Sequence, residues 1–257
     1  MMGDAFRRAK TLPLSGKVGL ALVLFWLLVA LFGPMLAPYP VGAFVAFDVF
    51  DGQSAAHWLG SDYLGRDVLS RLLSGARYTV GLAAAAALLA SMTGTALALT
   101  AAVGGVRVDE PLSRFMDMLI SIPSKIFSLV LVAAFGSSLG LLLLIAAFTY
   151  VPGNYRIARA LAVNLAQMDY VQVARARGEG RFHIAIAEIL PNMIHPLLAD
   201  FGLRFVFIVL LLSGLSFLGL GEGALAILAP AVAIATLTVG VNLLIDAIGF
   251  SGKGKGR

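Results

Sequence analysis

Residues 18–36 read VGLALVLFWLLVALFGPML, a run without a single charge. A bilayer core of roughly 30 Å needs about 20 helical residues at about 1.5 Å each. The run therefore predicts a membrane span, and it decides the class of fold. Arg7, Arg8, Lys10 and Lys17 precede it. A basic start before an apolar run also describes a signal peptide. This run is long for one, and Gly33 to Pro38 (GPMLAP) is a poor cleavage site, so the span is expected to be retained. The rest of the chain agrees. Of 257 residues, 60% are hydrophobic and 13% charged, with a mean hydropathy of +0.93. A soluble domain carries roughly 25% charged residues. The composition excludes disorder, collagen, a disulfide scaffold and an ordinary soluble enzyme. There is no Cys, so thiol chemistry and Cys-ligated metals are excluded too. The net charge of +5 is read as Lys and Arg on cytoplasmic loops, not as nucleic-acid binding.

Further along, residues 39–77 form a polar loop. Its second part, 61–77, carries Leu64, Val68, Leu69, Leu72 and Leu73 at helical spacing, which predicts an amphipathic helix on the membrane surface. Asp67 and Arg71 form an i,i+4 pair with the acid first. Span two lies within 78–106, with 107–111 as a tight connection. Span three runs from about 112 to 135 and is expected to kink at Pro123; it also holds Asp117 and Lys125. Residues 136–140 make a turn before span four, about 141–155. A polar stretch, about 156–196, precedes span five (about 197–219) and span six (about 224–248). Residues 251–257 are a flexible basic tail. The domain organisation expected is thus 1–38, 39–77, a core over 78–250, and the tail.

Basic residues set the orientation. With the N-terminus inside, inner segments hold fourteen Lys and Arg and outer segments three. The expectation is an all-α polytopic membrane protein of six transmembrane helices, with both termini and the 156–196 loop cytoplasmic.

That loop contains MDYVQVARARGEG at 168–180 and ILPN at 189–192. It reads as two short helices hinged at Gly178 and Gly180, with Asp169 as N-cap of the first and Pro191 and Pro196 ending the second. Ala174 and Gly178, four apart, give a small face suited to another protein's cleft. Arg175, Arg177 and Arg181 flank it. The plain alternative is an amphipathic loop on anionic lipid.

The segment resembles the cytoplasmic loop of ABC importer permeases, built on Glu-Ala-Ala, three residues, Gly, and a later Ile-Leu-Pro. The match here is Gln172-Val173-Ala174, Gly178 and Ile189-Leu190-Pro191; Gln172 and Val173 depart from the usual Glu and Ala. Residues 59–77, LGSDYLGRDVLSRLLSGAR, resemble the segment before the second span in dipeptide/oligopeptide/nickel permeases. Leu215 to Gly221 (LSFLGLG) and Asp117 with Pro123 are further matches. Together they cover about 15–248.

The resemblance implies the type I ABC importer permease fold and a bacterial inner-membrane location. It implies an ATP-driven, binding-protein-dependent importer in which this chain forms half the path for peptides or nickel chelates. Its partners would be a second permease subunit in a heterodimer, two cytoplasmic ATPase subunits that hold ATP and Mg, an extracytoplasmic binding protein, and the bilayer. The chain itself would bind no cofactor or metal and perform no bond chemistry. The coupling residues implied are Asp169, Tyr170, Gln172, Ala174, Arg175, Arg177, Gly178 and Glu179, with Ala174 and Gly178 as tight-packing points. The external motif comprises Gly60, Asp62, Gly65, Arg66, Asp67, Arg71 and Arg77, read as a structural network. One departure is large: Glu222 and Gly223 lead almost at once into span six, where relatives carry some 20 residues, so either the outer vestibule is reduced or a segment is missing.

Other features read more plainly. Residues 249–256 imitate a phosphate-binding loop, but Gly256 stands in the Ser/Thr position. Residues 219–223 imitate a dinucleotide fingerprint without its strand. His57, His183 and His195 do not form a helical pair. Asp200 and Arg204 lie i,i+4 within span five and read first as a local ion pair. Asp117, Pro123, Asp200 and Arg204 are the candidate path or gate residues. The rival functions are a secondary transporter or channel, which should show inverted halves and paired buried acids, and a membrane-embedded enzyme, which needs converging polar groups.

Overall fold

The uncharged runs all become helices. The computed structural model describes residues 13–40, 42–45, 51–62, 64–217 and 224–253. Helix α1 (Leu14–Leu36) is followed by α2 (Val68–Gly104), α3 (Val106–Ile120), α4 (Ser124–Phe135) and α5 (Leu139–Ala166). Then come the short α6 (Asp169–Ala176), a single turn α7 (Arg181–His183), a π-helical segment (Ile184–Ile189), α8 (Leu190–Phe217) and α9 (Ala224–Lys253). Among the described residues, four helices are long and apolar enough to cross a membrane: α1, α2, α5 and the continuous 181–214 helix. The pair α3 and α4 passes the same test together but is bent by 85° at its break. In α9 the apolar stretch is Ala231–Ala247. The architecture is all-helical, with four membrane spans or five if the bent pair counts as one.

Several boundaries differ from the sequence reading. The helix expected over 61–77 begins only at Val68, and it does not stop before the membrane span but fuses with it in the 37-residue α2. Asp67 sets the start: its Oδ2 accepts from the backbone N–H (2.7 Å) and the hydroxyl (2.6 Å) of Ser70. Nothing after it breaks the helix until Gly105, whose φ is +79°. Residues 107–111, expected as a tight connection, are helical and belong to α3. Span four does not end near Tyr155; α5 carries Arg156 and Arg159 as far as Ala166. The kink expected at Pro123 is a full break: α3 ends at Ile120, and Pro123, with ψ 125°, stands at the N-cap of α4.

Pro191 and Pro196 do not end a helix before span five. The helix runs through both. The π-helical turn makes room for Pro191: the N–H of Leu190 reaches back to the Ala185 carbonyl, five residues earlier. The wider turn relieves the clash a proline ring makes with the carbonyl four residues before it.

Two compact units divide the chain, one formed by residues up to Leu82 and from Val209 on, the other by Ala83–Ile208. In the first, α1 packs along α9. A Cβ on Gly19 would lie 2.7 Å from the Leu244 nitrogen, and one on Gly240 would lie 2.7 Å from the Leu22 Cβ. Small residues thus bring the two backbones together, as membrane helices require. The Trp26 indole donates to Thr236 Oγ1 at 3.1 Å. In the second unit the core is built on alanines. Ala158, Ala162 and Ala166 form a buried stripe along α5, and Ala90, Ala98 and Ala101 do the same on α2. Large side chains instead face outward. Leu31, Phe32, Leu88, Met92, Val130 and Phe135 are all exposed, as suits lipid or a partner chain.

The basic residues Arg7, Arg8 and Lys10, the short loop at Glu222, Tyr63 and the last four residues of the tail lie outside the described residues. So do the side chains of Leu215 to Gly221.

Candidate functional site

The 168–192 segment joins α5 to α8 and presents two faces. On α6, Val171 and Ala174 point inward and are fully buried with Ala162, Ala166, Ile184 and Ile189. The small face is therefore occupied by the chain's own core, and Ala174 is not on the docking surface that its spacing suggested. Asp169 is not the N-cap either; Met168 holds that position, and Asp169 sits in the first turn, where its charge complements the helix dipole.

Gly178 terminates α6 rather than packing against a neighbour. Its φ is +82°, the Gly178 N–H reaches the Arg175 carbonyl at 2.9 Å, and the Glu179 N–H reaches the Ala174 carbonyl at 3.2 Å. This is a Schellman C-cap, which favours glycine because no Cβ obstructs the left-handed conformation. The departure at Gln172 also has a local cause. Its Nε2 donates to the Ala166 carbonyl at 3.2 Å, covering an orphan acceptor at the end of α5. A carboxylate could not donate there.

Two polar groups then lock the hinge to the helix that follows. Glu179 pairs with Arg177 and with His183, each at 2.9 Å. Asn192 donates to the Tyr170 hydroxyl (3.2 Å) and to the Glu188 carbonyl (2.8 Å). Glu179, His183 and Glu188 present ligating atoms within 4.8 Å of one another, a grouping that a search for histidine pairs alone does not find in the sequence. The π-helical turn is what carries Glu188 beneath His183. The outward face of the segment bears Met168, Val173, Arg175, Arg177, Phe182 and Ile186, all exposed, with Phe182 at 79%.

The 59–77 motif is arranged in the opposite way. Asp62 is fully buried. Its Oδ1 accepts from the N–H groups of Leu64 (2.8 Å) and Arg66 (2.9 Å), and its Oδ2 pairs with the Arg71 guanidinium. Asp67 caps α2 and faces His57 Nδ1 at 3.5 Å. Tyr39 stacks obliquely on His57 and donates to the Ala56 carbonyl. Gly60, with φ +76°, leaves only 2.6 Å between a hypothetical Cβ and the Asp51 carbonyl. Arg66 lies over the Phe44 ring at 5.3 Å. Arg77 is exposed. Apart from Arg77, these residues build one structural knot, with Gly65 at its turn.

A third polar group is buried in the second unit. Arg204 forms a two-point pair with Asp200, Nε to Oδ2 at 3.0 Å and Nη2 to Oδ1 at 2.9 Å. Asn154 Nδ2 donates to the same carboxylate at 2.7 Å, and Thr95 Oγ1 donates to Asn154 Oδ1 at 3.4 Å. The i,i+4 pair was legible in the sequence. Asn154 is marked in the sequence only as an amide inside an apolar run. Asp117, by contrast, is exposed on α3. A second pair, Asp109 with Arg159, ties α3 to α5, and the Ser113 and Tyr155 hydroxyls meet beside it at 2.9 Å.

The comparisons with known proteins point the same way. Residues 94–249 match the family described as binding-protein-dependent transport system inner membrane component. A probable D,D-dipeptide transport system permease protein of Escherichia coli (strain K12) is 35% identical over 209 residues, which is 81% of this chain and 70% of that protein. A dipeptide transport system permease protein of Alkalihalophilus pseudofirmus is 32% identical over 221 residues, 86% of this chain and 72% of that one. A nickel transport system permease protein of Escherichia coli (strain K12) is 30% identical over 210 residues, 82% of this chain and 76% of that one.

Proposed function

The chain belongs to the family of binding-protein-dependent transport system inner membrane components, and from that premise we propose that it forms half the translocation path of an ATP-driven importer in a bacterial inner membrane. The relatives named for dipeptide and nickel transport make peptides or metal chelates the candidate solutes. The other half of the path is a second, different permease subunit. Two cytoplasmic ATPase subunits supply the energy and hold the ATP and Mg. An extracytoplasmic binding protein delivers the solute.

Six spans make up this chain: α1, α2, the bent α3–α4 pair, α5, the continuous helix through α8, and α9. Both termini and the 168–192 segment are cytoplasmic, and the 39–67 loop is outside.

One observation carries the coupling role: the two-faced construction of the 168–192 segment. Its inward face is fastened to α5 through Val171, Ala174 and Gln172, and it continues without a break into α8. Its outward face, with Met168, Val173, Arg175 and Phe182, is free to seat on an ATPase. A displacement of α6 is then passed to α5 and α8 as rigid bodies, which shifts the path between its inward- and outward-open states. Asp200, Arg204 and Asn154 hold those two helices together within the apolar interior.

The test is extraction of the chain from its native membrane in mild detergent, with identification of what copurifies. A second permease and ATPase subunits are the expected result; a stable homomer without ATPases refutes the proposal. Orientation is checked separately. The chain has no Cys, so a single Phe182→Cys or Trp58→Cys is its own reporter. An impermeant thiol reagent is expected to label Trp58→Cys from outside and Phe182→Cys only from the cytoplasmic side.

A further inference from the structure

A cavity of about 230 Å³ opens where the α3–α4 break faces α5. Ile122, Pro123, Ser124, Phe127, Tyr150 and Arg204 are among the residues that line it. That volume holds about seven waters, enough for one end of a small organic solute. The geometry points to a subsite for a carboxylate on the transported solute. This inference rests on the importer reading above and names the substrate class for it.

Three features make the cavity an anion site. Arg204 is 8% exposed, and Asp200 occupies only its Nε and Nη2. Nη1 has no partner among the described residues and lies against the α5 backbone at Gly153, where a Cβ would meet it at 2.5 Å. A guanidinium carries five N–H donors, so Arg204 can hold Asp200 and a second carboxylate together. The first turn of α4 also forms part of the wall. Its N-cap is Pro123, which provides no side-chain cap, so the first N–H groups of the helix have no intrahelical partner. A helix N-terminus with free N–H groups attracts anions. Finally, no lining residue is acidic. Both oxygens of Asp200 are engaged by Arg204 and Asn154, so nothing in the wall would hold a bare divalent cation. Pro152 has no N–H to give the Phe148 carbonyl, and both residues line the cavity, which leaves an acceptor for an amide or amine of the same solute. The class that fits is a peptide with a free C-terminal carboxylate rather than a free metal ion.

The test uses the complex purified through this chain together with its ATPases, without the binding protein. Tritiated trialanine and its C-terminal amide are the probes, read by scintillation proximity. The free acid is expected to bind the unaltered complex about tenfold tighter than the amide or better, the factor of a charge-assisted hydrogen bond. Gly153→Ala puts a methyl where Nη1 lies, and Asp200→Asn with Arg204→Gln keeps the pair but removes its charge. Each is expected to cut the preference to about twofold or less. Equal binding of acid and amide, binding of neither, or a preference that survives in both variants overturns the subsite. Failure of the importer reading looks different: the chain then purifies without ATPases.

Discussion

The 60–71 and 168–192 segments both carry short motifs, yet they are built in opposite senses. In the first, the acidic motif residues turn inward. Asp62 is sealed in the chain, its oxygens taken by two backbone N–H groups and Arg71, and Asp67 caps α2. In the second, the charges stay outside, and Val171 and Ala174 turn inward to fasten α6 to its own helices. The buried motif residues in both are therefore scaffold. In the second segment Val173, Arg175 and Phe182 remain exposed, and these are the residues that the proposed coupling role assigns to the ATPase.

Substitutions can break this contrast in a graded way. The largest effect is expected from Ala174→Arg, which forces a charged side chain into a filled core and costs about 4 kcal/mol or more. The folded chain should largely disappear from size-exclusion profiles, so loss of ATPase binding in that variant reports folding, not contact. Asp62→Ala comes next. It strips Arg71 and two N–H groups of their acceptor and should cost roughly 2–4 kcal/mol, less than for a deeply buried pair because Arg71 is one-third exposed. Pulse proteolysis in detergent measures this, with cleavage expected within 51–67. Gly178→Ala forces a Cβ into the left-handed C-cap at a cost of about 1 kcal/mol. It should loosen α6 as seen by amide exchange while leaving α2 unaffected. Gln172→Glu is expected to cost about 1 kcal/mol or less, since a carboxylate cannot donate to the Ala166 carbonyl and faces the negative end of α5. Thermal unfolding that finds Gln172→Glu more stable would contradict the capping role.

Much of this fold is legible in the sequence, because the absence of charge over about 20 residues has one dominant meaning in a chain this apolar. The Asp200–Arg204 pair is legible for a similar reason: i,i+4 spacing puts two charges on one helical face. What local rules miss is where a helix ends. Pro191 looks like a terminator, but a π-helical turn absorbs it. Arg77 looks like the edge of a membrane span, but it is about two and a half turns inside α2. The direction of a side chain is also hidden. The spacing of Ala174 and Gly178 specifies a shared face without saying whether anything covers it; here Ala174 is buried in one cluster with Ile184 and Ile189, while Gly178 stays exposed. Asn154 meets Asp200 across 46 positions, a distance at which no local pattern speaks.

The most direct test of the account is retention of ATPase subunits by Val173→Asp. Val173 is 55% exposed on α6, and a surface substitution away from caps and cores changes stability by only about 0.5 kcal/mol. The variant is expected to reach the membrane at normal levels, keep its partner permease and lose the ATPases on purification. A Val173→Asp chain that retains the ATPases in full would contradict the assignment of the outward face of α6 as the coupling surface.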